Sequence, residues 1–375
     1  MDKKRIFKNT MAIAMAVVMM LLGGSFAGFG ASPSYGAGGN AADYPNYVDR
    51  QIVVVFDDDV DRASAADIVA FALSEEMTSE KRASAGGIKG IREDLKLTKI
   101  KTDDNMMLVS LKTGVDVKAA AKEIAKNPDV AYTQPNYIYT LPRGKSGGTE
   151  YDRDQYLKYV GASKARGLLE KQKAKGKVTV ALLDTGVSES DEALKGVDTV
   201  STSKNDVSDK HGTEMAALAV KTAGKSNIKL LAVDVCDENS SYGGKTVAVT
   251  TDIVAGIDYA GRHDAQIVAM AFGRHGYDNA LAKKMRRAAK GDILLVVAGD
   301  NGDEAVWYPA DYKSCMSSKK SEKISPDYSA AVTAGTAALV MCADTDLSAA
   351  ETREMLAKAA KGKGSTYNAV SKALK

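Results

Sequence analysis

Val178-Thr179-Val180-Ala181-Leu182-Leu183-Asp184-Thr185-Gly186 decides how the rest of the chain is read. Val178 to Leu183 is nearly all apolar and reads as a buried strand. Asp184-Thr185-Gly186 then delivers a carboxylate onto a tight turn. Twenty-seven positions beyond Asp184, His211-Gly212-Thr213-Glu214-Met215-Ala216-Ala217-Leu218-Ala219 opens a small-residue helix on a histidine. Ile228 to Val235, Gln266 to Ala271 and Ile293 to Ala298 are further apolar runs of buried-strand type. Helical patterns lie between them, near His211 to Thr222, Thr246 to Arg262 and Asn279 to Lys290. The alternation predicts an α/β fold, a doubly wound and mostly parallel sheet whose sites gather at the carboxyl ends of its strands. Asp184 and Asp300 both stand at such ends.

Upstream, the pattern changes. Gln51 to Phe56 is strand-like, Ala63 to Met77 has helical apolar spacing, and Leu95 to Lys101 and Met106 to Leu111 read as strands. Val115 to Lys126 is an amphipathic helix and Val130 to Tyr139 a closing strand. The order β-α-β-β-α-β over residues 50–140 predicts a small ferredoxin-like α+β domain. Residues 141–150, with Arg143-Gly144-Lys145-Ser146-Gly147-Gly148, have the composition of a connector, and the larger domain takes 151–375. The lysine-rich tail after Lys361 reads as a solvated terminus.

The N-terminus carries an address. Lys3, Lys4, Arg5 and Lys8 precede an apolar run from Met11 to Leu22, and small residues follow at Ser25 and Ala27. That is the pattern of a secretory signal peptide over 1–27, ahead of a Gly/Ala/Pro-rich spacer over 28–49. The run is short for a bilayer span, so a membrane is expected as a partner only if the leader stays uncleaved. The product is expected to be secreted or extracytoplasmic. With 51 basic and 48 acidic side chains, charge is almost balanced and gives no reason to expect nucleic acid. Cys236, Cys315 and Cys342 have no metal spacing; Cys236 and Cys342 read as core residues.

The Asp184 and His211 motifs, in this order, resemble those of the subtilisin-like serine peptidases. Asn127-Pro128-Asp129-Val130-Ala131-Tyr132, through Gln134-Pro135-Asn136-Tyr137, resembles the close of the propeptide domain that precedes such catalytic domains. The resemblance implies a propeptide that templates folding and then inhibits by laying its C-terminus in the active site. A plain connector and a cleaved one fit residues 141–150 equally. In a peptidase of this type Asp184 would orient His211, and His211 would take the nucleophile's proton. Val268-Ala269-Met270-Ala271-Phe272-Gly273 matches the family's substrate-binding strand, with Ala271, Phe272 and Gly273 at its end. Extended peptide could pair there by strand addition, and a plain structural strand fits as well. No cofactor is implied, and the calcium ion common among such relatives has no residue set to locate it.

Three departures bear on activity. The family's oxyanion segment appears as Val297-Ala298-Gly299-Asp300-Asn301-Gly302, with Asp300 in register with the donor Asn and Asn301 one place late. A lost oxyanion donor costs about 10²- to 10³-fold in rate, and a carboxylate there would repel the developing charge. Secondly, Val332-Thr333-Ala334-Gly335 matches the helix that carries the nucleophile, and ungapped counting puts Asp327 in the serine's place. Ser325, before Pro326 and an acid, has the pattern of a helix N-cap. It is also one of two alternative nucleophiles; the other is Ser329, which lies about 200° around the helix from Asp327. Thirdly, Tyr312 and Ser325 are separated by twelve residues, where relatives spend several tens on one wall of the specificity pocket. If Asp327 stands in the serine's place, His211 lies between two carboxylates and its pKa should rise. The expected product is a subtilisin-like homologue, inactive or impaired, that binds peptide or protein, including its own propeptide. An active serine endopeptidase with a shifted serine is the alternative.

Overall fold

The computed structural model describes residues 46–75, 77, 79, 81, 85–111, 115–141, 151–172, 176–203, 209–239, 245–299, 306–318, 324–359 and 363–375. The expected signal peptide and most of the spacer lie outside these residues, as do the linker after Leu141 and both Asp300 and Asn301.

The N-terminal block runs β1 (Tyr47–Phe56), α1 (Arg62–Glu75), α2 (Gly87–Asp94), β2 (Lys96–Lys99), β3 (Met106–Ser110), α3 (Val117–Ile124) and β4 (Val130–Thr140). Its strands lie in the order β2-β3-β1-β4, and the β1 pairings with β3 and β4 are antiparallel. That is the ferredoxin-like arrangement, with α2 as an added helix. Ile52, Val54 and Phe56 bury one face of β1 against α1 and α3. Val53 and Val55 bury the other face in a cluster containing Ile253, Val254 and Ile257 of the following domain. A strand covered on both faces explains an unbroken Ile-Val-Val-Val-Phe run where a half-exposed strand would alternate.

The second domain begins with α4 (Arg153–Val160) and α5 (Ala162–Gln172). It continues through β5 (Val178–Asp184), β6 (Asp198–Ser201), α6 (His211–Ala223) and β7 (Ile228–Asp234). A hairpin of β8 (Cys236–Asn239) and β9 (Lys245–Val249) follows, then α7 (Thr250–Arg262), β10 (Ile267–Met270) and the short β11 (Arg274–His275). The rest is α8 (Asn279–Lys290), β12 (Leu294–Ala298), β13 (Trp307–Tyr308), β14 (Met316–Ser318), α9 (Pro326–Ala343), α10 (Ala349–Ala359) and α11 (Ser365–Ala373). The central sheet has the order β14-β12-β10-β5-β7-β6, and every pairing in it is parallel. α5, α6 and α9 pack on one face of it, α7 and α8 on the other. All seven residues of β5 are buried, as its composition requires.

Two expectations are corrected. Lys245–Val249 is a strand and not the start of a helix; α7 begins at Thr250, because the β-branched run Thr246-Val247-Ala248-Val249 is held in a sheet by neighbours on both sides. The C-terminal tail is not simply solvated: Thr366, Ala369 and Val370 of α11 are buried, and Thr336 and Thr366 hydroxyls meet at 2.9 Å. The three cysteines are buried and free.

The sheet of the N-terminal block does not stop at its own last strand. Ile138, Tyr139 and Thr140 of β4 pair antiparallel with Val249, Ala248 and Val247 of β9, so the hairpin extends it to the six-stranded order β2-β3-β1-β4-β9-β8. Residues 41–375 accordingly form one compact unit.

Candidate functional site

Asp184 ends β5 and is 1% exposed. Its Oδ1 accepts the Thr185 N–H at 2.8 Å and lies 2.8 Å from Nδ1 of His211. His211 is the first residue of α6, and its N–H donates to Asp209 Oδ1 at 3.0 Å. Two threonines stitch the turn to the helix start. Thr185 Oγ1 accepts the Gly212 N–H at 3.0 Å, and Thr213 Oγ1 accepts the Ser188 N–H at 2.9 Å. A Cβ on Gly212 would stand 2.2 Å from the Gly186 carbonyl oxygen. The threonines and glycines beside Asp184 and His211 are therefore the parts that set the separation of the pair.

The other ring nitrogen faces α9. Pro326 opens that helix, and Asp327, next in line and buried, brings Oδ2 to 3.5 Å from His211 Nε2. The contact is an ion-pair separation without hydrogen-bond alignment: Nε2, Asp327 Oδ1 and Asp184 Oδ2 are all buried without a hydrogen-bond partner. The imidazole side chain is 10% exposed. Burial alone would lower its pKa. The Asp184 charge and hydrogen bond, and after them Asp327, outweigh burial and push it up to about 10 from 6.5. A ring held as imidazolium carries a proton on both nitrogens and has no lone pair with which to accept another.

Ser325 occupies the N-cap position of α9, but its hydroxyl makes no capping bond and is buried without a partner. The expected side-chain cap is corrected to a positional one. Ser329 lies in the first turn of α9, two residues beyond Asp327 and about 200° around the helix from it. Sequence reasoning missed Tyr328, whose hydroxyl donates to Glu214 Oε2 at 2.9 Å while Glu214 Oε1 lies 3.1 Å from Arg153 Nη2. The Arg153 guanidinium stands 5.0 Å above the Tyr328 ring. These residues tie the first turns of α4, α6 and α9 together around the His211–Asp327 contact. The one signal for them was position: Glu214 lies within the His211 motif and Tyr328 directly follows Asp327.

Ala271, Phe272 and Gly273 are buried beyond the end of β10. The N–H and C=O of Gly273 are both engaged by Thr140, at 3.0 and 2.9 Å. The end of β4 thus lies between β9 and Gly273, in the manner of an added strand. Tyr139 meets Phe272 edge to face at 5.9 Å. The Trp307 indole lies against Gly273 so closely that a Cβ there would be 2.1 Å from Nε1, which itself is buried and unpartnered. Among the described residues no cluster of His, Cys, Asp or Glu is arranged to hold a metal ion.

Residues 175–322 match the model of the subtilase family, and residues 39–136 match that of the fervidolysin N-terminal prodomain. The subtilase match ends five residues before Asp327. A thermophilic serine proteinase of Bacillus sp. (strain AK1) is 25% identical over 226 residues, 55% of this chain and 53% of that one. Subtilisin DY of Bacillus licheniformis is 30% identical over 155 residues, 37% of this chain and 54% of that one. The chain spans about half the length, or less, of the first curated relatives it matches. In fold it is similar to the crystal structure of fervidolysin from Fervidobacterium pennivorans, a keratinolytic enzyme related to subtilisin. The TM-score is 0.62 at 16% identity, covering 87% of this chain and 61% of that one.

Proposed function

We propose that this chain, a subtilase-family domain over residues 175–322 behind a fervidolysin-type prodomain over 39–136, is an exported peptidase homologue that binds polypeptide and does not cleave it. The observation that carries this is the Asp327 carboxylate, 3.5 Å from His211 Nε2. Peptide hydrolysis by this family's chemistry needs a hydroxyl at that place and a neutral imidazole to accept its proton. Here the residue is an acid, and its charge adds to the larger effect of Asp184 in holding the ring in the form that cannot act as base. Loss of a nucleophile of this kind costs about 10⁶-fold in turnover. Asp300, in register with the oxyanion donor, removes further transition-state stabilisation. What supports binding is the strand end Ala271-Phe272-Gly273, which keeps its hydrophobic frame and whose Gly273 backbone pairs with an extended segment. Its first ligand is the chain's own prodomain, through Thr140.

A second reading rests on Ser325, whose hydroxyl is buried and uncommitted two residues before Asp327. One experiment separates the two. Full-length protein and its Ser325→Ala variant are expressed, weighed intact and treated with a fluorophosphonate probe. We expect both to keep residues 141–150 uncut and to take up no probe. Self-cleavage or labelling of wild type would overturn the binding-only function, and loss of either in Ser325→Ala would assign the nucleophile.

A further inference from the structure

Lys284 is a buried cation whose charge is matched across the domain boundary. Its side chain, on α8, is 1% exposed, and Nζ lies 2.9 Å from Asp104 Oδ2 in the β2–β3 loop of the prodomain. The same Nζ reaches both oxygens of Asp258 on α7, at 2.9 and 2.8 Å. Arg287 closes the set on Asp104 Oδ1 at 2.9 Å. From the prodomain side, the Thr102 hydroxyl and the Asp103 N–H both donate to Asp258 Oδ2. Two cations and two carboxylates therefore balance, and one carboxylate belongs to the prodomain.

A second junction lies along β4. Asp278, at the N-cap of α8, is fully buried and accepts from Gln134 Nε2 at 2.8 Å, Tyr139 Oη at 2.9 Å and Thr250 Oγ1 at 2.7 Å. Gln134 Oε1 accepts the Ala280 N–H at 3.0 Å, and Asn136 Oδ1 accepts the Thr251 N–H at 3.2 Å. The first turns of α7 and α8 leave backbone donors without helical partners, and prodomain side chains supply the acceptors. The folded second domain is thus completed, in its caps and in its charge balance, by the first.

We propose that the prodomain is a permanent domain of the working protein, retained when the connecting chain is cut, and that Lys284 is the residue that selects it by reading Asp104. The partner that fits the α7–α8 face is a four-stranded α+β domain with a carboxylate at the tip of its β2–β3 loop. Its own prodomain meets that description. Buried charges are costly when one partner is missing, so such a network discriminates more than it stabilises. A domain without the acid would leave Lys284 short of one carboxylate in a dry interface. Nothing here depends on whether His211 and Asp327 are inert, because a self-cleaving protein would simply cut the same connection itself.

The test is made on the full chain with a specific-protease recognition sequence placed within residues 142–150. After cutting, the two pieces are passed through a sizing column at micromolar and nanomolar concentration. Trp307, the sole tryptophan, reports separation by its emission because it lies against the Gly273 that Thr140 pairs. We expect the cut wild type to stay associated with unchanged emission. Asp104→Asn should raise the dissociation constant about 10- to 100-fold, and Lys284→Met about 10²- to 10³-fold. Arg262→Ala, which removes a half-exposed pair with Asp103 at 3.6 Å, should change it less than about 3-fold. Circular dichroism of each uncut variant verifies that it folds. Release of the wild-type prodomain on cutting overturns its permanence. Equal affinity for Asp104→Asn and Arg262→Ala overturns the role of Lys284.

Discussion

The charge state of His211 can be measured directly, and Asp327→Asn is the perturbation that isolates its cause. A pKa raised from 6.5 to about 10 corresponds to a net preference for imidazolium on the order of 5 kcal/mol, at about 1.4 kcal/mol per unit. That preference survives a burial cost of opposite sign, so the two carboxylates together supply more than the net. Asp184, hydrogen-bonded at 2.8 Å, supplies the larger part, and Asp327 at 3.5 Å the smaller. Replacing Asp327 by the isosteric, uncharged Asn should therefore lower the His211 pKa by on the order of 1–2 units. The assay is a proton NMR titration of the imidazole Cε1–H signals between pH 5 and about 11. It is tractable because the chain has three histidines, and His263→Gln and His275→Gln assign the other two. The same shift makes a stability claim, whose sign follows from a folded pKa above the unfolded value. The contribution is fully present below pH 6.5 and is lost as pH rises through about 10. Thermal stability of wild type should fall across that alkaline window more steeply than that of Asp327→Asn. A wild-type His211 titrating near 6.5, or one indifferent to Asp327→Asn, would refute the whole electrostatic account of the site.

Three further outcomes are expected. Asp327→Ser should restore a hydroxyl opposite Nε2 and lower the His211 pKa, yet hydrolysis of a peptide substrate should stay about 10²- to 10³-fold below that of a double variant that also carries Asp300→Asn. Gly212→Ala should cost about 2–4 kcal/mol in denaturant unfolding, since the added methyl meets the Gly186 carbonyl at 2.2 Å and neither backbone can yield easily. Tyr139→Phe removes one of the donors to the buried Asp278 carboxylate and should cost about 1–3 kcal/mol, read as a lower thermal midpoint with unchanged secondary structure.

The parallel sheet was legible because both-face burial writes itself as unbroken apolar runs, and Val178 to Leu183 is such a run. The meeting of Asp184 and His211 was legible because each sits at the terminus of an element with a strong signature. Placing Asp327 opposite the imidazole followed from counting along α9, and the geometry puts it there. Other features escaped for physical reasons. Lys245–Val249 has strand composition, but it abuts a helix without a Gly or Pro to mark the boundary. α11 is short and rich in polar residues, and only tertiary contact buries Thr366 and Val370. The Lys284 network was invisible because a lysine on an amphipathic helix reads as solvated, and its carboxylate partners lie 26 and 180 positions away in sequence. Val53 and Val55 are as apolar as their neighbours, which a sheet with one wet face would not need.

The sheet that runs unbroken from β2 to β8 has a consequence for how the protein survives outside its native state. With β4 in place, both sides of β9 are hydrogen-bonded. Without it, Val247-Ala248-Val249 would offer a row of bare amides and carbonyls on an apolar strand, the kind of rim that recruits other chains. The prodomain then shields the larger domain from aggregation, a duty independent of chemistry at His211. It supplies a reason for the chain to keep its first third even where there is no proteolysis to restrain.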